Sequence, residues 1–77
     1  MKYLEELQHG DCFSAGSSNF ILTCDSRSGG KRLCINLING ETRWFKSNEI
    51  VDKLAIFYTD KDGNIIALKE TKKDDFT

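Results

Sequence analysis

Asn39-Gly40 constrains this chain more than any other feature, because it separates two β-type runs, Arg32–Ile38 and Glu41–Lys46. Asn-Gly suits the two positive-φ positions of a type I′ turn, whose twist matches that of the flanking strands. A two-residue loop there pairs Ile38 with Glu41, Leu37 with Thr42, Asn36 with Arg43, Ile35 with Trp44 and Cys34 with Phe45. Successive strand residues point to opposite faces. Leu33, Ile35, Leu37 and Trp44 therefore share one side, expected to be the core. Arg32, Cys34, Asn36, Ile38, Glu41, Arg43 and Phe45 share the other.

Gly29-Gly30 marks a second turn, between Phe20–Asp25 and Lys31–Ile38. A two-residue loop there sets Cys24 opposite Ile35 and Leu22 opposite Leu37, adding Phe20, Leu22 and Cys24 to the expected core. Moving the register by one residue would set Leu22 against Asn36 and break the apolar phase. A three-stranded meander is the expectation.

A chain of 77 residues is one domain, and it buries only about 60% of its unfolded surface, which leaves little room for a deep cleft. Charged residues at 30% and hydrophobics at 39% are ordinary for a globular domain and too apolar for a disordered one. No run approaches the ~18 apolar residues of a membrane span, and the acidic opening Met1–Leu7 is unlike a secretory signal. Cys12, Cys24 and Cys34 are odd in number and lack C-x-x-C spacing, which fits reduced thiols. A cytoplasmic location is expected, with no membrane association.

The remaining elements follow from local signals. Tyr3, Leu4 and Leu7 have helical spacing and suggest one short turn at the N-terminus. Asp11–Ala15 reads as a strand, and Ser47–Val51 opens with good N-cap residues and suggests a brief helical or 3₁₀ turn. Leu54–Thr59 and Ile65–Lys69 form a last hairpin, with Gly63 at the left-handed position of a three-residue loop. Residues 1–70 make one β domain and 71–77 a flexible tail. Five to six short strands, tight glycine turns and no proline predict an all-β fold, a small barrel or strongly bent antiparallel roll. The series Leu7-x-x-Gly10-Asp11-x-Phe13, a glycine loop, Leu37-x-x-Gly40-Glu41-x-x-Trp44-Phe45 and a short turn resembles the small SH3-like barrels, including short proteins of that type from phage and bacterial genomes. The resemblance covers roughly Leu7–Ile56 and implies a fold; it carries over no catalytic residue.

Motifs for chemistry are sparse. Asp60-x-Asp62-Gly63-Asn64 has the centre of an EF-hand loop, but with Gly63 at its sixth place the first is Tyr58 and the twelfth Lys69, where carboxylates are needed. His9, Cys12, Cys24 and Cys34 are nominally a zinc set, yet the expected register aims Cys24 and Cys34 to opposite faces. No serine elbow, phosphate loop or carboxylate pair is present, and nothing orients a cysteine towards His9. The expectation is a non-enzymatic protein without metal or cofactor.

Charge is uneven although the net is only −1. Residues 27–46 carry Arg27, Lys31, Arg32, Arg43 and Lys46 against Glu41, a local balance of +4, against −3 over 1–26 and −2 over 47–77. Arg32, Asn36, Ile38, Arg43 and Phe45 are the expected binding residues, on an outward face of the 31–46 hairpin. With Ile21 they offer an apolar patch for a protein partner or a second copy. The function expected is protein interaction or assembly. The alternative is weak single-stranded nucleic-acid binding, in which arginines meet phosphates and Phe45 stacks on bases.

Overall fold

Eight strands carry the described residues: β1 (Lys2–Tyr3), β2 (Cys12–Ala15), β3 (Ser18–Arg27), β4 (Lys31–Asn36), β5 (Thr42–Phe45), β6 (Ile50–Leu54), β7 (Phe57–Thr59) and β8 (Ile65–Ala67). The structure, a computed structural model, describes residues 1–69, so the expected tail 71–77 lies outside the described residues. The fold is all-β, as the turns and alternation imply. Six strands form one antiparallel sheet in the order β1-β6-β2-β3-β4-β5, and β7-β8 forms a separate two-stranded sheet. A 3₁₀ turn, Leu4–Glu6, sits where one helical turn is expected. Its i, i+3 eclipse puts Leu4 and Leu7 together into the core, and its amides are held by the Glu49 and Ser47 carbonyls at 2.8 and 2.9 Å.

The sheet is curled but not closed into a barrel. Phe13 on β2, Phe20 on β3 and Phe45 on β5 meet with ring centroids 5.0 to 5.6 Å apart. On a flat sheet β2 and β5, three strand spacings apart, would stand about 14 Å from each other. Contact between Phe13 and Phe45 therefore requires strong curvature. The concave side holds the core of Leu4, Leu7, Phe13, Phe20, Leu22, Cys34, Phe45 and Val51. On the convex side Ile21, Leu33, Ile35 and Trp44 stay partly exposed, whereas Cys12 is buried.

The two hairpin registers differ from those expected. The β4-β5 pairs are Ile35 with Thr42, Cys34 with Arg43, Leu33 with Trp44 and Arg32 with Phe45, joined by a four-residue loop, Leu37–Gly40. The Asn36 carboxamide accepts the Ile38 N–H at 2.8 Å, which turns the chain earlier than Asn39. Only Gly40 takes a positive φ there, +77°, so the type I′ turn does not form. This shift of two positions keeps the membership of each face. What inverts is the core: Cys34 and Phe45 are buried at 0% and 2% exposure, while Leu33, Ile35 and Trp44 are half-buried on the convex side and Leu37 is exposed.

The β3-β4 pairing explains the inversion. Phe20 faces Asn36 and Leu22 faces Cys34, and an irregularity between Leu22 and Ser26 changes the register. Thr23 pins this bulge, its hydroxyl donating to the Leu33 carbonyl at 2.8 Å and accepting the Asp25 N–H at 3.1 Å. Phe20 and Leu22 are core residues as expected. Cys24, expected in the core, is carried outward by the bulge and is exposed.

Past β5, the brief turn expected over Ser47–Val51 is a single i→i+3 turn, with the Glu49 N–H on the Lys46 carbonyl at 3.1 Å, and Ile50 and Val51 already belong to β6. The last hairpin forms around the expected loop but with shorter strands than Leu54–Thr59 and Ile65–Lys69: Leu54 ends β6 and pairs with Cys12, leaving Phe57–Thr59 and Ile65–Ala67. Gly63 has φ +85° and the Asp60 N–H donates to the Asn64 carbonyl at 3.1 Å. The Asp60 carboxylate accepts the Asp62 and Asn64 N–H groups at 2.9 Å each, so its oxygens serve the turn.

The inverted core yields a direct test. Phe45→Ala is expected to cost about 3–5 kcal/mol through lost transfer energy and a cavity, and Trp44→Ala about 1 kcal/mol or less. Denaturant melts of the two variants should rank Phe45→Ala far below Trp44→Ala; the reverse order would restore Trp44 to the core.

Candidate binding face

The five expected binding residues do not form one exposed surface. Phe45 is a core side chain; Arg32 and Arg43 flank it, Arg32 as its cross-strand partner and Arg43 with its guanidinium carbon 4.6 Å from the ring centroid. The cation–aromatic pairing read from the sequence is real, but it closes the end of the core instead of offering a ring to a ligand. Arg32 is further used by a 3.3 Å hydrogen bond to the Thr23 carbonyl. Asn36 caps the 37–40 loop. Ile38 is 83% exposed, in that loop and away from Phe45's strand, and Ile21 lies on the opposite face, beside Ile35. The patch of Ile21, Ile38 and Phe45 is therefore not assembled.

A different surface is. Cross-strand partners on the convex side run Leu54, Cys12, Ile21, Ile35, Thr42 across β6, β2, β3, β4 and β5. The next row holds Leu33 and Trp44. Ile21, Leu33, Ile35 and Trp44 are only half-buried. The Arg27 guanidinium lies over the Trp44 ring, 4.3 Å from its centroid. Lys31, opposite Arg27, follows the alternation of Leu33 onto this side, and Lys46 that of Trp44. The result is an aliphatic and aromatic face with a basic rim. The sequence held the signal for it, since Arg27, Lys31 and Lys46 belong to the positive stretch, but the face had been assigned to the core.

The concave side opens beside β5 in a groove of about 190 Å³ lined by Ser18, Phe20, Asn36, Glu41, Thr42 and Arg43. That is below the roughly 300 Å³ at which small-molecule sites begin.

The thiols are separated by the fold. Cys34 lies in the concave core, and burial pushes its pKa up to about 11. Cys12, buried on the convex side, is also raised, first by burial and then by the charge of Asp11. Both are protonated at neutral pH and poor nucleophiles. Cys24 and Cys34 do point apart, though with Cys34 inward and Cys24 outward, the reverse of the expected arrangement. Among the described residues no three His, Cys, Asp or Glu side chains gather at metal-binding range.

One buried carboxylate, Asp11, gathers two lysines. Asp11 is 5% exposed; its Oδ1 accepts from Lys69 Nζ at 2.6 Å and its Oδ2 from the Gln8 N–H at 2.8 Å, with Lys53 Nζ at 3.9 Å. Burial works to raise its pKa, but the Lys69 and Gln8 hydrogen bonds and the two lysine charges together hold it below the ordinary 3.8. Lys69 follows β8, so this pair ties the β7-β8 hairpin to the six-stranded sheet.

Comparison with protein-family models, curated proteins and solved structures found no match. The convex face is therefore read from its own chemistry.

A carboxyl with a depressed folded pKa contributes stability that is complete above its unfolded value and lost as pH falls through the folded one. Asp11→Asn should lower stability at neutral pH by about 1–3 kcal/mol and flatten the loss between about pH 5 and pH 3. Urea titrations across that range check both; parallel pH profiles for the variant and the parent would remove Asp11 from the explanation.

Proposed function

We propose that this chain is a non-enzymatic protein-interaction or assembly module whose binding surface is the convex face of β3-β4-β5. The observation that carries the reading is Trp44, held with Ile21, Leu33 and Ile35 on one sheet face where each keeps part of its surface in solvent. Aromatic and arginine side chains on an apolar patch are the groups that dominate protein interfaces. Residues this large are retained on an outer face at a cost in solubility, which a bound partner offsets. A cytoplasmic setting suits three free thiols.

Single-stranded nucleic acid is the second reading, favoured by Arg27, Lys31 and Lys46 around one indole. Two facts weigh against it. Arg27 already occupies a face of Trp44 on which a base would stack. The chain's pI is about 5.7, far from the basic balance usual in such domains.

Selection of displayed random peptides against the immobilised protein tests the reading. Enriched peptides are expected to bind the parent and to lose at least roughly tenfold in affinity, about 1.4 kcal/mol, with Trp44→Ala, whose melting temperature stays near that of the parent. Ile38→Ser, in the exposed 37–40 loop, should bind as the parent does. Failure to enrich any peptide that depends on Trp44 removes the proposal. Sub-micromolar, salt-sensitive binding of oligo(dT) by the parent would replace it with the nucleic-acid reading.

A further inference from the structure

The six-stranded sheet ends at β5, and the hydrogen-bond phase of that strand leaves a specific set of groups unused. The Asn36 N–H donates to the Glu41 carbonyl at 2.8 Å. Antiparallel pairs alternate between hydrogen-bonded and non-hydrogen-bonded, so Arg43 and Phe45 bond to β4 while the N–H and C=O of Thr42 and Trp44 point away from the sheet. No described strand pairs with this edge. The edge is continuous with the convex face through Trp44 and with the concave groove through Thr42 and Arg43. Its charge is one-sided: Arg43 and Lys46 stand on the edge and Lys31 and Arg27 behind it, against Glu41 alone.

Extending the reading of this face as a protein-binding surface, we infer that β5 is a docking edge at which an extended, acidic segment of a partner protein adds as a further strand. Main-chain bonds to Thr42 and Trp44 supply register, and alternate side chains of the incoming segment meet the two sides of the sheet. On the convex side an apolar residue packs beside Trp44, with a carboxylate in reach of Lys46 at the rim; on the concave side a carboxylate reaches Arg43. Charge decides between an acidic partner and a second copy. Self-pairing along β5 would gather Arg43 and Lys46 of both copies on one short interface with only the two Glu41 side chains to oppose them. Lysine and arginine on an edge are a recognised bar to self-association, and they attract a strand of opposite sign. The other end of the sheet does not compete, since β1 spans only Lys2–Tyr3.

The peptides enriched in the selection above serve as probes, together with a synthetic Glu-Val-Asp-Val-Glu-Ile peptide and its Lys-for-acid counterpart. Enriched peptides should be net acidic with alternating apolar residues, and the synthetic acidic peptide should bind while the basic one does not. Bound peptide should slow amide exchange of Thr42 and Trp44 by roughly tenfold or more, and N-methylation of alternate peptide amides should abolish binding. Lys46→Glu, on an exposed side chain outside the core, should reduce affinity for acidic peptides; Arg43→Gln should do the same where its melt shows it folded. Peptides that depend on Trp44 yet leave the Thr42 and Trp44 amides unprotected would overturn the edge and leave the convex-face reading standing. Neutral or basic peptides among the winners, or dimerisation of the parent protein itself in sedimentation, would overturn the acidic partner.

Discussion

Everything else in this fold depends on three phenylalanine rings meeting over one cysteine. Phe13, Phe20 and Phe45 come from strands that a flat sheet would hold apart, and their mutual contacts fix the curl. Between β3 and β5 runs β4, whose inward residue at the centre is Cys34, fully buried. Cys34 shares the buried cluster with the rings, and its thiol is a small side chain that demands no strong hydrogen bond. Curvature then follows from volume. With the large side chains on β2, β3 and β5 and the small one on β4, the sheet bends until the rings touch.

A single curled layer has one good interior and one compromised exterior. The concave side is sealed by the 3₁₀ turn at one end, through Leu4 and Leu7, and by Arg32 and Arg43 at the other. On the convex side Ile21, Leu33, Ile35 and Trp44 keep part of their surface in solvent, and Arg27 stacks on Trp44. The β7-β8 hairpin does not repair this. It keeps Phe57, Tyr58 and Ile65 at least half exposed, and two strands alone are only marginally stable in water. Its anchor is electrostatic and local: Lys69 on the buried Asp11.

The all-β class, the meander, the closing hairpin with Gly63 and the membership of each face of the 31–46 hairpin were legible in the sequence, because alternation and glycine placement are local. Which face is inward was not. Leu33, Ile35, Leu37 and Trp44 outweigh Cys34 and Phe45 in hydrophobicity, so a count along one hairpin favours the wrong side. The deciding facts are tertiary: the ring volume contributed by β2 and β3, and a bulge at Thr23–Asp25 that moves Cys24 out of phase. Asn36 shows a second limit. Its side chain starts the turn ahead of Asn39-Gly40, and two competing turn formers three residues apart are not ranked by propensity alone. The candidate site inherited the inversion. The basic stretch was visible, but Arg27, Lys31 and Lys46 are its members on the convex face; Arg32 serves the core, and Arg43 stacks on Phe45 at the β5 edge.

Exposed sheet edges are normally hidden or blunted, and this chain handles its two ends differently. At β1 the edge is two residues long, too short to template another strand. At β5 the edge is long enough to pair, and what guards it is charge. A guard made of charge is selective where a guard made of brevity is not: it repels copies of the same edge and attracts a strand of opposite sign. The same residues therefore keep the isolated protein from pairing with itself and define who can bind it. Trp44 links the two aspects of the proposed surface, since its main chain lies on the open edge and its side chain on the convex face. A partner that satisfies the first must also cover the second, which couples hydrogen-bond register to apolar burial at a single residue.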